Sequence, residues 1–349
     1  MPQCGMYLVR KRVWRYFNNV INFEIARPKE IYKTDQVMAD RTPRVSLAMP
    51  VYNGERFVSE AIVSILSQTF SDFELIITDN CSTDSTGTIV RDFAARDPRV
   101  FYHRNQRNIG AANNYNLGFK LARGQYLKWC ACDDLINPGH LAALVAALES
   151  DPSLGLAHGQ TICIQADGRT IPMVGEEMPE ITETDPAERF GKAVMSFGTC
   201  FQIFGLFRID LLRRTTLHRP YYSSDEALLA EAALLSRFKR VPEAIFYNRE
   251  HDHRSIHIDS KLARSSWQNG EASRKAASEH LNLLLHLYEI AGRHPEVVSP
   301  YRARLQLIRF VKRPEQLSRY ALEILSFLSP TIAQQAKSAI KLRGSLKTG

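Results

Sequence analysis

Between Arg44 and Trp129 the chain alternates four short apolar runs with three amphipathic stretches, and this rhythm constrains the fold more than any other feature. Val45–Met49, closed by Pro50, reads as a buried strand. Arg56–Ser67 sets Phe57, Ala61, Ile62, Ile65 and Leu66 at helical spacing. Phe73–Thr78 predicts a second strand, Asp84–Ala95 a capped helix and Val100–His103 a third strand. Ala111–Ala122 predicts a helix stopped before Gly124, and Gln125–Trp129 a fourth strand. Strands separated by helices of this length require crossover connections, which are right-handed and build a parallel sheet.

The pattern continues past this point less regularly. His140–Glu149, opened by Pro138, predicts a helix, and Leu154–Ile164 a longer strand. Residues 165–190 are polar, contain Pro172, Pro179 and Pro186, and are expected to form a loop or lid. Phe201–Arg208 predicts a strand, Asp225–Ser236 a helix and Arg240–Tyr247 a last strand. From about Ile258 the pattern is helical and basic. The expected division is an N-terminal extension (1–43), an α/β domain (44–257, with halves 44–135 and 136–257) and a basic helical C-terminal region (258–349).

Charge separates these regions. The 349 residues carry a net +8, yet residues 301–349 hold ten basic residues against two acidic ones, and residues 1–44 nine against four. The centre is therefore mildly acidic, which argues against a nucleic-acid role for the domain itself. The two ends mix Val13, Trp14, Phe17, Val20 and Ile21, or the apolar residues of 301–343, with Arg and Lys, as surfaces that lie on anionic membranes do. Solvated helices packed on the domain are the competing reading. No apolar run approaches the ~18 residues that span a bilayer, and no signal peptide is evident. The six cysteines are scattered without CxxC spacing and read as reduced thiols. The catalytic part is expected in the cytosol, at the inner face of the membrane if the basic ends dock there.

Ligands of open parallel sheets bind at the carboxyl ends of the strands. Strand one is followed there by Pro50–Val51–Tyr52–Asn53–Gly54–Glu55, strand two by Asp79–Asn80–Cys81–Ser82–Thr83–Asp84, and strand four by Cys132–Asp133–Asp134. Tyr52 can stack on a nucleobase. Asp79 or Asn80 can accept a hydrogen bond from a base. Asp133 and Asp134 are hard oxygen donors suited to Mg²⁺ or Mn²⁺ bridging a diphosphate. Taken singly, each has a plainer reading: a packing aromatic, a helix cap, a solvated turn. Three polar loops after three strands in this order are hard to obtain from packing alone.

The strings VSLAMPVYNGERFVSEAIVSILSQTFSDFELIITDNCSTDST, NIGAANNYNLGFKLARGQYLKW and CDD resemble glycosyltransferase family 2, from Val45 to about His140. The resemblance implies a GT-A fold: a Rossmann-like three-layer αβα sandwich with a mostly parallel mixed sheet, here with helical extensions at both ends. It implies an inverting transfer from a nucleoside-diphosphate-sugar, with a divalent metal. By position, Pro50, Val51, Tyr52 and Asn53 line the nucleoside site, with Glu55 grouped beside them, and Asp79 and Asn80 match the base-binding acidic pair. Asp134 is the metal ligand, and Asp133 reaches the ribose or sugar. Two departures stand out: Asn80 replaces a second acid, and Tyr115 occupies a position often held by Arg.

An inverting transfer needs a base for the acceptor hydroxyl. Ser224–Asp225–Glu226–Ala227–Leu228 matches the family's Glu-Asp helix start, with Asp225 as base and Ser224 in place of Glu. A helix cap is the rival reading of Asp225. Tyr247–Asn248–Arg249–Glu250–His251 falls where relatives have Tyr-Arg-Arg-x-His, so His251 is expected at the metal or diphosphate and Arg249 at phosphate oxygens. The donor is expected to be a UDP-sugar and the acceptor a saccharide or lipid-linked sugar, in bacterial-type polysaccharide or glycolipid assembly. The alternatives are a catalytically degenerate nucleotide-sugar-binding protein and a sugar-phosphate nucleotidyltransferase. The second wants a Gly-rich first loop with catalytic Arg and Lys, which the Tyr52–Glu55 loop lacks.

Overall fold

The computed structural model describes residues 42–252, 254–270 and 278–328. The N-terminal extension, His253 and the tail from 329 lie outside the described residues, so the readings placed on Val13–Ile21 and on the basic tail beyond residue 328 do too.

The nucleotide-binding half forms as its periodicity dictates: β1 (Val45–Val51), α1 (Val58–Leu66), β2 (Phe73–Asp79), α2 (Thr86–Arg96), β3 (Val100–Arg104), α3 (Ala111–Leu121) and β4 (Tyr126–Trp129). β1 and β2 are buried along nearly their whole length, which is why they read as continuous apolar runs rather than alternating ones. The second half adds β5 (Leu135–Ile136), α4 (His140–Ser150), β6 (Leu154–Gln165), β7 (Thr170–Ile171), α5 (Pro186–Met195), β8 (Leu206–Arg208), α6 (Ile209–Arg214), α7 (Ser224–Leu235) and β9 (Arg237–Glu250). Helices α8 (Lys261–Asn269), α9 (Glu279–Arg293), α10 (Pro300–Val311) and α11 (Pro314–Leu328) follow.

The strands make one mixed sheet in the order β3-β2-β1-β4-β8-β6-β9-β5, with β7 beside β6. Its four longest pairings, β1/β2, β2/β3, β1/β4 and β6/β9, are parallel. Alternating side chains feed two cores. Leu47, Met49 and Tyr126 face one side with Ile62 and Leu144. Ala48, Leu127 and Trp129 face the other with Phe190, Leu228 and Leu287. That division is the three-layer arrangement expected of the GT-A fold.

Three local departures from expectation have physical causes. Phe201–Arg208 is not one strand: Cys200 takes φ 51°, Phe201–Phe204 turns as a 3₁₀ helix, and only Leu206–Arg208 joins the sheet. The polar stretch after Gln165 contains the β6–β7 hairpin, and α5 starts inside it. Asp185 caps that helix by accepting from the Ala187 N–H, and Pro186 sits in its first turn, where a missing N–H costs nothing. The last strand runs beyond its predicted ends because the long strand β6 pairs with it from Arg237 to Glu250, and it bulges around Pro242. Register jumps from Gly159 opposite Val241 to Gln160 opposite Ile245.

The bulge demands glycine opposite it. A Cβ on Gly159 would lie 2.0 Å from the Ala244 carbonyl oxygen. Gly159→Ala is therefore expected to destabilise the domain by about 1–3 kcal/mol or more, read as a lower urea midpoint. Beyond the bulge, β9 carries Asn248, Arg249 and His251 to the carboxyl end of the sheet.

Candidate active site

The loops after β1 and β2 are stitched together by polar side chains. Asn53 N–H donates to Ser82 Oγ (2.9 Å) and Thr83 N–H donates to Asn53 Oδ1 (2.8 Å). Gly54 N–H donates to Thr86 Oγ1 (2.8 Å), and Ser85 N–H to Glu55 Oε2 (2.9 Å). Asn53 sits at φ 51°, a region Asn tolerates better than most residues. This stitching fixes Pro50 and Val51 at the end of β1 and leaves Tyr52, 46% exposed, at the mouth.

Asp79 and Asn80 are engaged inside the protein. Asp79 Oδ1 accepts from Ser82 N–H (2.8 Å), and its Oδ2 from Tyr102 Oη (2.6 Å) and Arg104 Nη1 (2.9 Å). Burial alone would raise its carboxyl; the bonds from Ser82 and Tyr102 and the Arg104 charge outweigh it and hold the group below the usual range. Asn80 Oδ1 accepts from Asn105 Nδ2 and Ile109 N–H, while its Nδ2 donates to Asn108 Oδ1. Both residues thus shape the 105–110 loop.

Asp133 and Asp134 sit after β4 against the end of β9. Asp134 is buried and accepts from Arg249 N–H (2.7 Å), and Asn248 Nδ2 lies 3.3 Å from both its oxygens. Burial and the neighbouring Asp133 push its carboxyl up to about 8. Asp133 Oδ2 and His251 Nε2 are 2.8 Å apart, and the His251 ring packs on Phe57 with centroids 4.9 Å apart. Arg249 does not open toward phosphate. Its guanidinium is buried over Phe57 and donates to Asp133 O, Ala166 O and Glu60 Oε2. That residue orients the acidic turn.

These donors suit a hard cation. Asp133 and Asp134 offer oxygen and His251 nitrogen, and Asn248 Oδ1 is buried beside them without a partner. Among the described residues no three His, Cys, Asp or Glu side chains converge as a ready cage. A cation here would complete its shell with ligand oxygens, as Mg²⁺ and Mn²⁺ do on diphosphates.

Asp225 lies in the first turn of α7, after Ser223 at φ 69°. Burial raises its carboxyl. Glu226 beside it is pushed up to about 8, by burial first and by Asp225 second.

The segment Asn114–Tyr115–Asn116 joins the two halves. Asn114 Nδ2 donates to Thr78 O (2.7 Å), pinning α3 to β2. Asn116 and His218 exchange two bonds, Asn116 Nδ2 to His218 O (2.8 Å) and His218 N–H to Asn116 Oδ1 (3.1 Å). Tyr115 packs between Trp129 and His218, and Trp129 Nε1 donates to its carbonyl (3.1 Å). Its phenol is pushed far up by burial first, then by the charges of Asp133, Asp225 and Asp134. Sequence reasoning noted the NYN and KW motifs but gave Asn116, Lys128 and Asn248 no role. Lys128 is buried behind the site, donates to Phe204 O, and its ammonium is disfavoured by burial and partly sustained by Cys130 and Asp134.

Residues 46–209 match the family described as Glycosyl transferase family 2. Over those residues the chain is similar to family 2 glycosyltransferases. It is similar to the uncharacterized glycosyltransferase EpsJ of Bacillus subtilis, 26% identical over 297 residues, covering 82% of this chain and 84% of that protein. Among solved structures it is similar to S. aureus TarS residues 1–349 in complex with UDP-GlcNAc: 20% identity, TM-score 0.53, covering 81% of this chain and 80% of that one. It is also similar to GalNAc-T7 with UDP, GalNAc and Mn²⁺: 14% identity, TM-score 0.52, covering 77% and 54%. At these identities the structural likeness shows a shared fold. The domain has the GT-A fold.

Proposed function

We propose that the chain is an inverting, metal-dependent glycosyltransferase that moves a sugar from a UDP-sugar to a hydroxyl of a saccharide or lipid-linked acceptor, in polysaccharide or glycolipid assembly. The observation that carries this is the acidic turn Asp133–Asp134, which lies within the residues that match the family and is held against the end of β9 by Arg249 and His251. Similar structures holding UDP-GlcNAc, or UDP with Mn²⁺, support the donor and the cation.

On this reading, Pro50, Val51, Tyr52 and Asn53 border the nucleoside, with Glu55 holding their loop. Asp79 and Asn80 set the adjoining wall, and Asp133 lies toward the ribose or sugar. Asp134 and His251 would hold a divalent cation, which would supply charge neutralisation for the leaving diphosphate. Asp225 accepts the acceptor's hydroxyl proton while that oxygen bonds to the anomeric carbon. The bond from that carbon to the diphosphate breaks, and the diphosphate leaves with the electron pair. Attack opposite the leaving group inverts the centre.

Calorimetry with UDP, GDP and CDP, with and without Mn²⁺, tests the donor site; NMR of the product's anomeric proton tests inversion. Nucleotide binding without transfer under any donor would favour a degenerate binding protein. Binding indifferent to EDTA would remove the metal. His251→Ala is expected to weaken Mn²⁺-dependent UDP binding by about 10–100-fold, and unchanged affinity would take His251 out of the site.

We place the transferase domain at 44–257, flanked by the extensions. No described helix is long and apolar enough to cross a membrane. α10 and α11 expose Tyr301, Leu305, Ile308 and Leu317 among Arg302, Arg309, Lys312 and Arg313. That mixture supports peripheral contact with an anionic bilayer, checked by co-sedimentation with anionic and with neutral vesicles.

A further inference from the structure

Helix α8 follows the last strand and packs on α3, reaching the start of α7. Ser260 caps it, accepting from Ala263 N–H (3.0 Å), and Gly270 ends it at φ 80°. The helix is held at both sides of the site. Its end lies against Gly110, where a Cβ would sit 2.3 Å from the Asn269 carbonyl carbon. Buried Gln268 donates to Ser224 Oγ (3.2 Å), the residue immediately before Asp225.

Trp267 precedes Gln268 and is 38% exposed. It meets Tyr222 edge-on, with ring centroids 6.3 Å apart. Arg264, paired with Glu279 at 2.6 Å, lies 5.0 Å over the Tyr222 ring. Tyr222 lies just before Asp225 in the chain, and Gln268, next to Trp267, bonds Ser224, so the aromatic pair lies near that carboxylate. A part-exposed aromatic surface thus stands near Asp225, whose carboxylate can accept from a hydroxyl group. Such a combination of an aromatic face with a few polar groups is what a pyranose needs: its C–H face is apolar and its rim is a ring of hydroxyls. Tyr52, the aromatic assigned to the nucleobase, stands on a different loop.

We propose that Trp267 and Tyr222 form a stacking platform for the acceptor saccharide, which presents the attacking hydroxyl to Asp225. The inference rests on the transferase reading for the role of Asp225, but its test is separate.

The probes are cellotriose, maltotriose, chitotriose and mannotriose, added with UDP and Mn²⁺. Saturation-transfer NMR reads saccharide binding and calorimetry reads UDP. At least one trisaccharide is expected to bind the wild type and Trp267→Phe, and to bind Trp267→Ala at least tenfold more weakly. Tyr222→Ala is expected to follow Trp267→Ala. UDP affinity should be equal in all four proteins. The proposal is overturned if no trisaccharide binds the wild type, if Trp267→Ala binds it as well as the wild type does, or if Trp267→Ala loses UDP instead. Saccharide binding that requires Trp267, in a protein indifferent to every nucleotide, would leave the platform standing and remove the transferase reading.

Discussion

Asp225→Asn is expected to leave UDP–Mn²⁺ affinity unchanged and to lower the transfer rate by about 10³-fold, within the range contributed by a general base. The side chain keeps its size and its place in the first turn of α7, so the fold should hold. What disappears is the proton acceptor. Burial raises the Asp225 carboxyl, and Glu226 stands beside it, pushed up to about 8. The base works only when unprotonated, so the rate should fall on the acid side, with a limb displaced above the ordinary carboxylate range. Asp225 raises Glu226 and not the reverse, so Glu226 is still protonated where Asp225 titrates, and Glu226→Gln should leave that limb in place. A pH–rate profile of wild type and Glu226→Gln decides this. Full turnover in Asp225→Asn would remove it as the base, and a limb displaced to lower pH in Glu226→Gln would show that Glu226 is charged while Asp225 titrates.

The first half of the fold was legible because local and global signals agree there. Each apolar run between Val45 and Trp129 is a parallel strand, buried except at the edge strand β3, and each amphipathic stretch is its crossover helix. The second half was less legible because its signals conflict. Pro186 reads as a break in a polar stretch, yet it opens α5 behind the Asp185 cap. Pro242 reads as compatible with one strand, yet it forces a bulge whose partner must be Gly159. Phe201–Arg208 has strand composition throughout, and nothing local announces the left-handed turn at Cys200.

The site divides along similar lines. Loops that follow strands at fixed places could be read in sequence order, which is how Tyr52, Asp133 and Asp134 were singled out, while Asp225 came from its match to the family's helix-start motif. What a side chain does with its polar atoms could not. Arg249 looks like a phosphate ligand by motif, but burial and three acceptors turn it into a support for the acidic turn. Asn80 looks like a base reader, but its amide is committed to Asn105, Asn108 and Ile109. Asn116 and His218 are 102 positions apart, and Trp267 reaches Tyr222 only through the return of α8. Such pairings depend on tertiary closure, which no periodicity encodes.

Asp134→Asn separates the two costs carried by the acidic turn. The amide oxygen can still accept from Arg249 N–H, so the turn should persist. The charge that would hold a cation is gone, and Mn²⁺-dependent UDP binding should weaken by at least about 100-fold, with transfer falling at least as far. Stability should move the other way. In the unfolded chain an Asp titrates near 3.9, whereas burial and Asp133 push Asp134 up to about 8. A raised folded pKa gives stability that is complete below the unfolded value and lost as pH climbs to the folded one. Metal-free wild type should therefore lose stability from this group as pH rises from about 4 to about 8. Asp134→Asn lacks that slope and should melt at a higher temperature than wild type in EDTA at pH 8. Added Mn²⁺ and UDP should raise the melting temperature of the wild type alone. A variant that melts below the wild type in EDTA would show that the charged carboxylate stabilises the turn without any cation.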